Sequence, residues 1–158
     1  MKDEDNIKRV RELMVRLGVK GEIIIHERVS GRTTEDAEKA LGVSRKYILK
    51  SLLLKSKHNR YIAVIITGDK RLDFKKLEKI SGLKKLRLAS PEEVERYTGF
   101  RIGGVPPFIF HELCPTYVDK DVMEREYVIG AAGTEYAGIK FKPSELKKLN
   151  YIIVDITK

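Results

Sequence analysis

The sequence predicts an α+β fold: a compact single domain with a mixed, mainly antiparallel sheet and helices packed around it. Three observations carry this reading. Apolar runs with strand character follow one another irregularly between short capped helical segments, instead of in a regular β-α alternation. The runs YILKSLLLKS (residues 47–56) and RYIAVIIT (residues 60–67) are joined only by KHN, a polar joint short enough to dictate an antiparallel hairpin. A chain of 158 residues, 42% of them hydrophobic and only one a cysteine, can bury one core without disulfides or metals.

Taken in order, Ile7, Val10, Leu13, Met14 and Leu17 recur at helical spacing, which predicts a helix over residues 5–17 closed by Gly18. This helix, within residues 1–20, is expected to pack on the domain that fills residues 1–158. EIIIH (residues 22–26) is a short buried strand, and the polar loop ERVSGR follows it. Thr33 caps TEDAEKAL, with Asp36 three residues on as a capping partner, and Gly42 stops that helix. Ser44 opens a further short turn before the hairpin. Asp73 caps FKKLEKI, Gly82 closes it, and KLRL (residues 85–88) is a strand. Ser90-Pro91-Glu92-Glu93 combines a cap, a proline at the first helical position and acids in the first turn, a strong helix start. TYVD, EYVIG and GIKF are strands, Pro143-Ser144-Glu145 opens a last short helix, and YIIVDI closes the sheet.

Charge and cysteine usage narrow the setting. Lys and Arg number 32 against 23 Asp and Glu, a net charge of +9 that suits a polyanion such as nucleic acid or an acidic membrane, or else an ion-pair-rich surface. The single Cys114 and the charged start MKDEDNIKR point to a cytoplasmic protein. No apolar run approaches the roughly 18 residues of a membrane span.

Candidate chemistry centres on Lys50. Strand alternation places Ile48, Lys50, Leu52 and Leu54 on one face and Leu49, Ser51 and Leu53 on the other, so a cation interrupts an apolar row. A buried ammonium is costly, so Lys50 either floors a pocket or snorkels to an edge. GFRIGGVPPF (residues 99–108) is the second candidate. Gly103 and Gly104 admit a close approach to the backbone, and Pro106 and Pro107 fix the shape of the loop. Such a loop facing a lysine would suit a carbonyl or carboxylate-derived group. His26, His58 and His111 form no zinc spacing, Cys114 reads as a packing residue, and no phosphate loop or G-x-S-x-G motif is present, so no metal or cofactor is expected. Lys75, Lys76, Lys79, Lys84, Lys85 and Arg87 make a basic cluster that is either a solvated face or a contact to phosphates.

An ordered set of short matches then becomes recognisable: Thr33-Thr34-Glu35-Asp36-Ala37, Lys50-Ser51-Leu52, Gly68-Asp69, Leu72-Asp73-Phe74-Lys75-Lys76, Leu88-Ala89-Ser90-Pro91-Glu92-Glu93-Val94, Thr98-Gly99-Phe100, Gly103-Gly104-Val105-Pro106-Pro107 and Val118-Asp119. With these the chain resembles the YbaK/prolyl-tRNA synthetase-associated domain family, over about residues 23–149. The resemblance implies a trans-editing aminoacyl-tRNA deacylase that acts without a cofactor on the acceptor end of mischarged tRNA, with transient association with a synthetase. It also implies a compact mixed sheet with helices around it. Lys50 matches the family's key lysine, here followed by Ser51 where threonine is usual, and residues 103–107 match its Gly-x-x-x-Pro loop. On this basis Lys50, Gly103 and Gly104 are expected to be catalytic, and Ser51, Val105, Pro106, Pro107, Thr33, Ala131, Ala132 and Gly133 to bind substrate. Gly130-Ala131-Ala132-Gly133 and Gly138 lack the hydroxyl and acid that some relatives carry, so amino-acid specificity does not transfer directly. Alanine on a proline tRNA is the first expectation, with cysteine, serine or threonine open. A non-catalytic RNA-binding module and a small-ligand regulatory domain are the competing readings.

Overall fold

The computed structural model describes residues 2–26 and 33–158; the loop ERVSGR lies outside the described residues. Four α-helices, α1 (Lys2–Leu17), α2 (Thr34–Leu41), α3 (Phe74–Ser81) and α4 (Pro91–Thr98), are interspersed among the described residues with eight strands. The strands are β1 (Glu22–Ile25), β2 (Leu49–Lys55), β3 (Tyr61–Thr67), β4 (Arg87–Leu88), β5 (Thr116–Asp119), β6 (Val128–Ala131), β7 (Ala137–Phe141) and β8 (Ile152–Val154).

The strands form two sheets where a single one was expected: a five-stranded sheet ordered β4-β2-β3-β5-β8 and a three-stranded sheet ordered β1-β7-β6. The pairings β2–β3, β2–β4, β1–β7 and β6–β7 are antiparallel, whereas β3–β5 and β5–β8 are parallel, so the fold is mixed α+β as the sequence predicts. A bridge between Ile48 and Ile129 ties the start of β2 to β6.

The apolar runs explain the layering. From Ile62 to Thr67 every residue of β3 is buried, because both faces of the central strand are covered. One face (Leu54, Ile62, Val64, Ile66) packs on Leu77 of α3 and on Ile156. The other face (Leu49, Leu53, Ala63, Ile65) packs against Ile139 and Phe141 of β7 and against Val10, Leu13 and Met14 of α1.

Caps behave as read. Thr33 Oγ1 accepts from Asp36 N, Asp73 accepts from Lys75 N and Lys76 N, and Ser90 and Glu93 complete a reciprocal capping box. Gly42, Gly82 and Gly99 close their helices at positive φ. Several boundaries shift. Acids at positions 3–5 carry α1 back to Lys2. Residues 45–47 turn as a 3₁₀ helix, so β2 begins at Leu49. Lys85 sits at φ 54, which shortens the expected strand 85–88 to Arg87–Leu88. The last helix is 3₁₀, over Pro143–Lys148.

Candidate functional site

The free edge of β2 opens onto a cleft of about 320 Å³. Its walls are α2 (Thr34, Ala37, Leu41), the edge of β2, the Leu88–Ala89 segment with Val94, the turn at Ile102 and Gly103 with Val105, and β6–β7 (Ile129, Ala131, Ala137). The lining is mostly apolar; His26, Lys50 and Glu135 are its ionisable side chains, and Thr33, Thr34 and Ser51 supply hydroxyls. A largely apolar cleft with few polar groups is the usual form of a small-ligand site.

Lys50 is half-buried on the cleft wall, and its Nζ donates to the Lys70 carbonyl at 3.0 Å. Both readings of this residue therefore meet in one geometry: the stem lines the cleft while the ammonium reaches the loop after β3. Desolvation lowers the Lys50 pKa below the ordinary lysine value; Asp69 opposes that shift, and Arg45 and Arg71 add to it. The tether fixes the ammonium and leaves two of its three N–H donors for other partners.

The Gly/Pro stretch divides between two roles. Gly103 at φ 90 takes the left-handed corner of a turn in which Gly104 N donates to Arg101 O at 2.9 Å. Gly104 O in turn accepts from Gly133 N at 2.8 Å, so both main-chain groups of Gly104 are engaged in holding the turn to the β6–β7 connection. A Cβ on Gly104 would lie 2.9 Å from the Gly133 and Thr134 backbone. Pro107 seats its ring against Gly130 of β6, where an added Cβ would meet Pro107 Cγ at 2.7 Å, and its carbonyl accepts from Tyr151 Oη at 2.6 Å. Pro107 thus docks the loop in a notch that glycine leaves in β6.

Of the residues singled out from sequence, Lys50, Ser51, Thr33, Gly103, Val105 and Ala131 come together on the cleft wall. Gly104, Pro106, Pro107, Ala132 and Gly133 do not line it: they are buried behind it, and Gly133 packs on Asn6 and Val10 of α1. Of the loop's main-chain N–H groups, those of Gly103 and Val105 have no partner among the described residues. His26, Thr34, Leu88, Ile102 and Glu135 also line the cleft and were not picked out. His26 carried a signal, since it ends a strand; its main-chain N donates to Tyr136 O, which brings it beside Glu135. Cys114 lies outside the cleft, and burial pushes its thiol up to about 11, as suits a packing residue.

Comparison with known proteins bears on this cleft. A model of the aminoacyl-tRNA editing domain matches residues 29–149. An uncharacterized Bacillus subtilis protein is 33% identical over 131 residues, covering 82% of this chain and 83% of its own. An Enterococcus faecalis protein named as a candidate Cys-tRNA(Pro)/Cys-tRNA(Cys) deacylase is 28% identical over 117 residues, covering 74% of this chain and 71% of its own. The proline–tRNA ligase of Caldicellulosiruptor bescii matches 66% of this chain at 30% identity, but over only 18% of the ligase. The solved structure of a candidate trans-editing enzyme for prolyl-tRNA synthetase superposes with a TM-score of 0.85 at 30% identity, covering 97% of each chain. With the family model spanning the cleft walls from α2 to β7, the chain belongs to the aminoacyl-tRNA editing domain family.

Proposed function

We propose that this protein hydrolyses the ester of mischarged aminoacyl-tRNA in trans, with the cleft beside β2 as its active site. The observation that supports this most is a half-buried, tethered lysine on the wall of a small apolar cleft in a chain of this family. The aminoacyl ester is already activated, so positioning a water and stabilising the developing oxyanion can suffice without a catalytic triad. In this reading the water attacks the ester carbonyl, the C–O bond to the terminal ribose breaks, and the ribose oxygen leaves with a proton as free tRNA. The Lys50 ammonium polarises the ester or holds the terminal ribose. Gly103 and Val105 close the opposite wall, with Thr33 and Ala131 around the substrate. Pro106, Pro107, Gly104, Ala132 and Gly133 act behind the wall by holding the loop in place.

The substrate proposed first is Ala-tRNA(Pro). Ala37, Ala89, Ala131 and Ala137 give the cleft a small apolar lining, which favours a short side chain. A synthetase pocket discriminates poorly against a smaller amino acid, because one methylene is worth only about 1–3 kcal/mol. Cysteine, serine and threonine remain the competing cargoes, and contact with a synthetase would be transient. The test is deacylation of a panel of Ala-, Cys-, Ser- and Thr-charged tRNAs by the wild-type protein and by Lys50→Ala. Hydrolysis of one charged species, reduced about 100-fold or more in the variant, is the expected result. Salt-sensitive tRNA binding with no hydrolysis would instead make the protein an RNA-binding module, and binding of a free amino acid with indifference to tRNA would make it a regulatory domain.

A further inference from the structure

The hydrogen-bond parity of β2 gives the cleft a feature that its side chains do not show. Gly68 N donates to Ile48 O at 2.7 Å, so the even-numbered residues Lys50, Leu52 and Leu54 exchange bonds with Ile66, Val64 and Ile62 of β3. Leu49, Ser51 and Leu53 therefore turn their N–H and C=O groups to the other edge. Ala89 N donates to Leu53 O at 2.9 Å on that edge, which fixes the parity independently. The edge is covered by β4 only at Leu54 and Lys55, and by the Ile129 bridge only at Ile48. In between, Ser51 N–H, Ser51 C=O and Leu53 N–H point to the cleft side, at positions that neither the β4 ladder nor the Ile129 bridge pairs. Main-chain groups at an open strand edge are costly to cover without a hydrogen-bond partner, so a ligand that satisfies them gains by doing so.

We propose that the main chain of Ser51 is the anchor for the aminoacyl group, which docks as a one-residue extension of the five-stranded sheet. This rests on the deacylase reading. A residue in the bonded register of an antiparallel ladder both donates its N–H to its partner's carbonyl and accepts the partner's N–H. An aminoacyl ester carries the same two groups in the same arrangement: an α-ammonium that donates and a carbonyl oxygen that accepts. The ammonium donates to Ser51 O, and Ser51 N–H donates to the ester carbonyl oxygen, where negative charge develops on attack. Directly opposed residues share a sheet face, so the substrate side chain falls on the side of Leu49 and Leu53. Lys50 then lies across the strand plane, free to meet the ribose side of the ester. Backbone readout of this kind is indifferent to the cargo side chain; it selects for a free amino group next to an ester, which every mischarged tRNA presents.

The experiment is amide NMR of the intact protein titrated with the non-hydrolysable amide 3′-alanylamino-3′-deoxyadenosine. The Ser51 N–H resonance is expected to move downfield and gain protection from exchange, with cleft signals such as Ile102 moving as well. Movement of the Gly103, Val105 and Ile102 amides with Ser51 and Leu53 unchanged would overturn the anchor and leave the deacylase reading intact. No binding together with no hydrolysis of any charged tRNA would overturn both. In parallel, Ser51→Pro removes the N–H but no bond to β3, whereas Ser51→Ala keeps the main chain. At unchanged melting temperature, Ser51→Pro is expected to lower kcat about 100-fold and Ser51→Ala much less, in line with the loss of one oxyanion donor. Equal activity of the two variants would overturn the anchor. If Ser51→Pro does not fold, the titration decides.

Discussion

Lys50 is where the sequence spoke most clearly at the scale of single residues. Alternation along β2 put a cation into an apolar row, and the structure places that cation half-buried on the cleft wall with Nζ on the Lys70 carbonyl. The partner could not have been read, because it belongs to a loop reached only after the hairpin turns back. Burial lowers the Lys50 pKa. In the folded protein its proton is therefore lost at lower pH than in the unfolded chain, whose lysines titrate near ~10.4. Between those two pKa values the unfolded state binds more protons, so stability rises with pH through that window as the penalty for the buried ammonium is relieved. Activity should run the other way. If the ammonium polarises the ester, the ratio of wild-type to Lys50→Ala deacylation rates falls as pH rises through the lowered pKa. A ratio that climbs with pH over the same range would make the neutral amine a general base and sink the polariser role.

Among the elements, the Gly/Pro turn shows what a local reading misses. Two glycines before two prolines read as an accessible wall of backbone donors, and only Gly103 and Val105 meet that description at the cleft. Gly104 is engaged by Arg101 on one side and by Gly133, far along the chain, on the other. Nothing local encodes the second contact, because it depends on how the three-stranded sheet seats against the loop. Caps and apolar runs were legible because they are set within a few residues, as in the Ser90–Glu93 box. The division into two sheets was not, since strand partners as distant in the chain as Ile23 and Ile139, or Val64 and Tyr117, leave no periodic trace. A consequence follows for Gly104→Ala. Its Cβ would press on the Gly133–Thr134 backbone at 2.9 Å, so the loop and the β6–β7 turn must part. The expected cost is about 1–3 kcal/mol in urea unfolding, typical of overpacking at a site that cannot relax. A change within ~0.5 kcal/mol, the ordinary range for surface substitutions, would mean that the turn is not a structural lock.

Across the whole molecule, the net charge of +9 has to be placed before it can be given a function. Ion pairs leave that surplus unchanged but fix where several of the cations sit: Lys55 and Arg87 pair with Glu93, Lys76 pairs with Asp155, and Arg16 with Glu112. Lys75, Lys79, Lys84 and Lys85 remain exposed, and the last three ring a shallow groove with Lys57 at the end of α3. Lys85 and the cleft residue Leu88 are three positions apart, at most about 11 Å of extended chain. A duplex stem lying on the lysines could therefore deliver a single-stranded 3′ end to the cleft. Phosphate contacts of this kind hold and orient without reading sequence. They also release counterions, so the logarithm of the binding constant falls with the logarithm of salt by about 0.7–0.9 per phosphate neutralised. The triple variant Lys79→Glu, Lys84→Glu, Lys85→Glu should accordingly weaken tRNA binding and flatten the salt slope by about 2–3. The cleft lies off the patch, so kcat at saturating tRNA should hold while KM rises. An unchanged slope would return the lysines to a solvated face and move the stem to another side of the protein; a fall in kcat without a change in slope would show that the substitutions disturb the wall at Leu88.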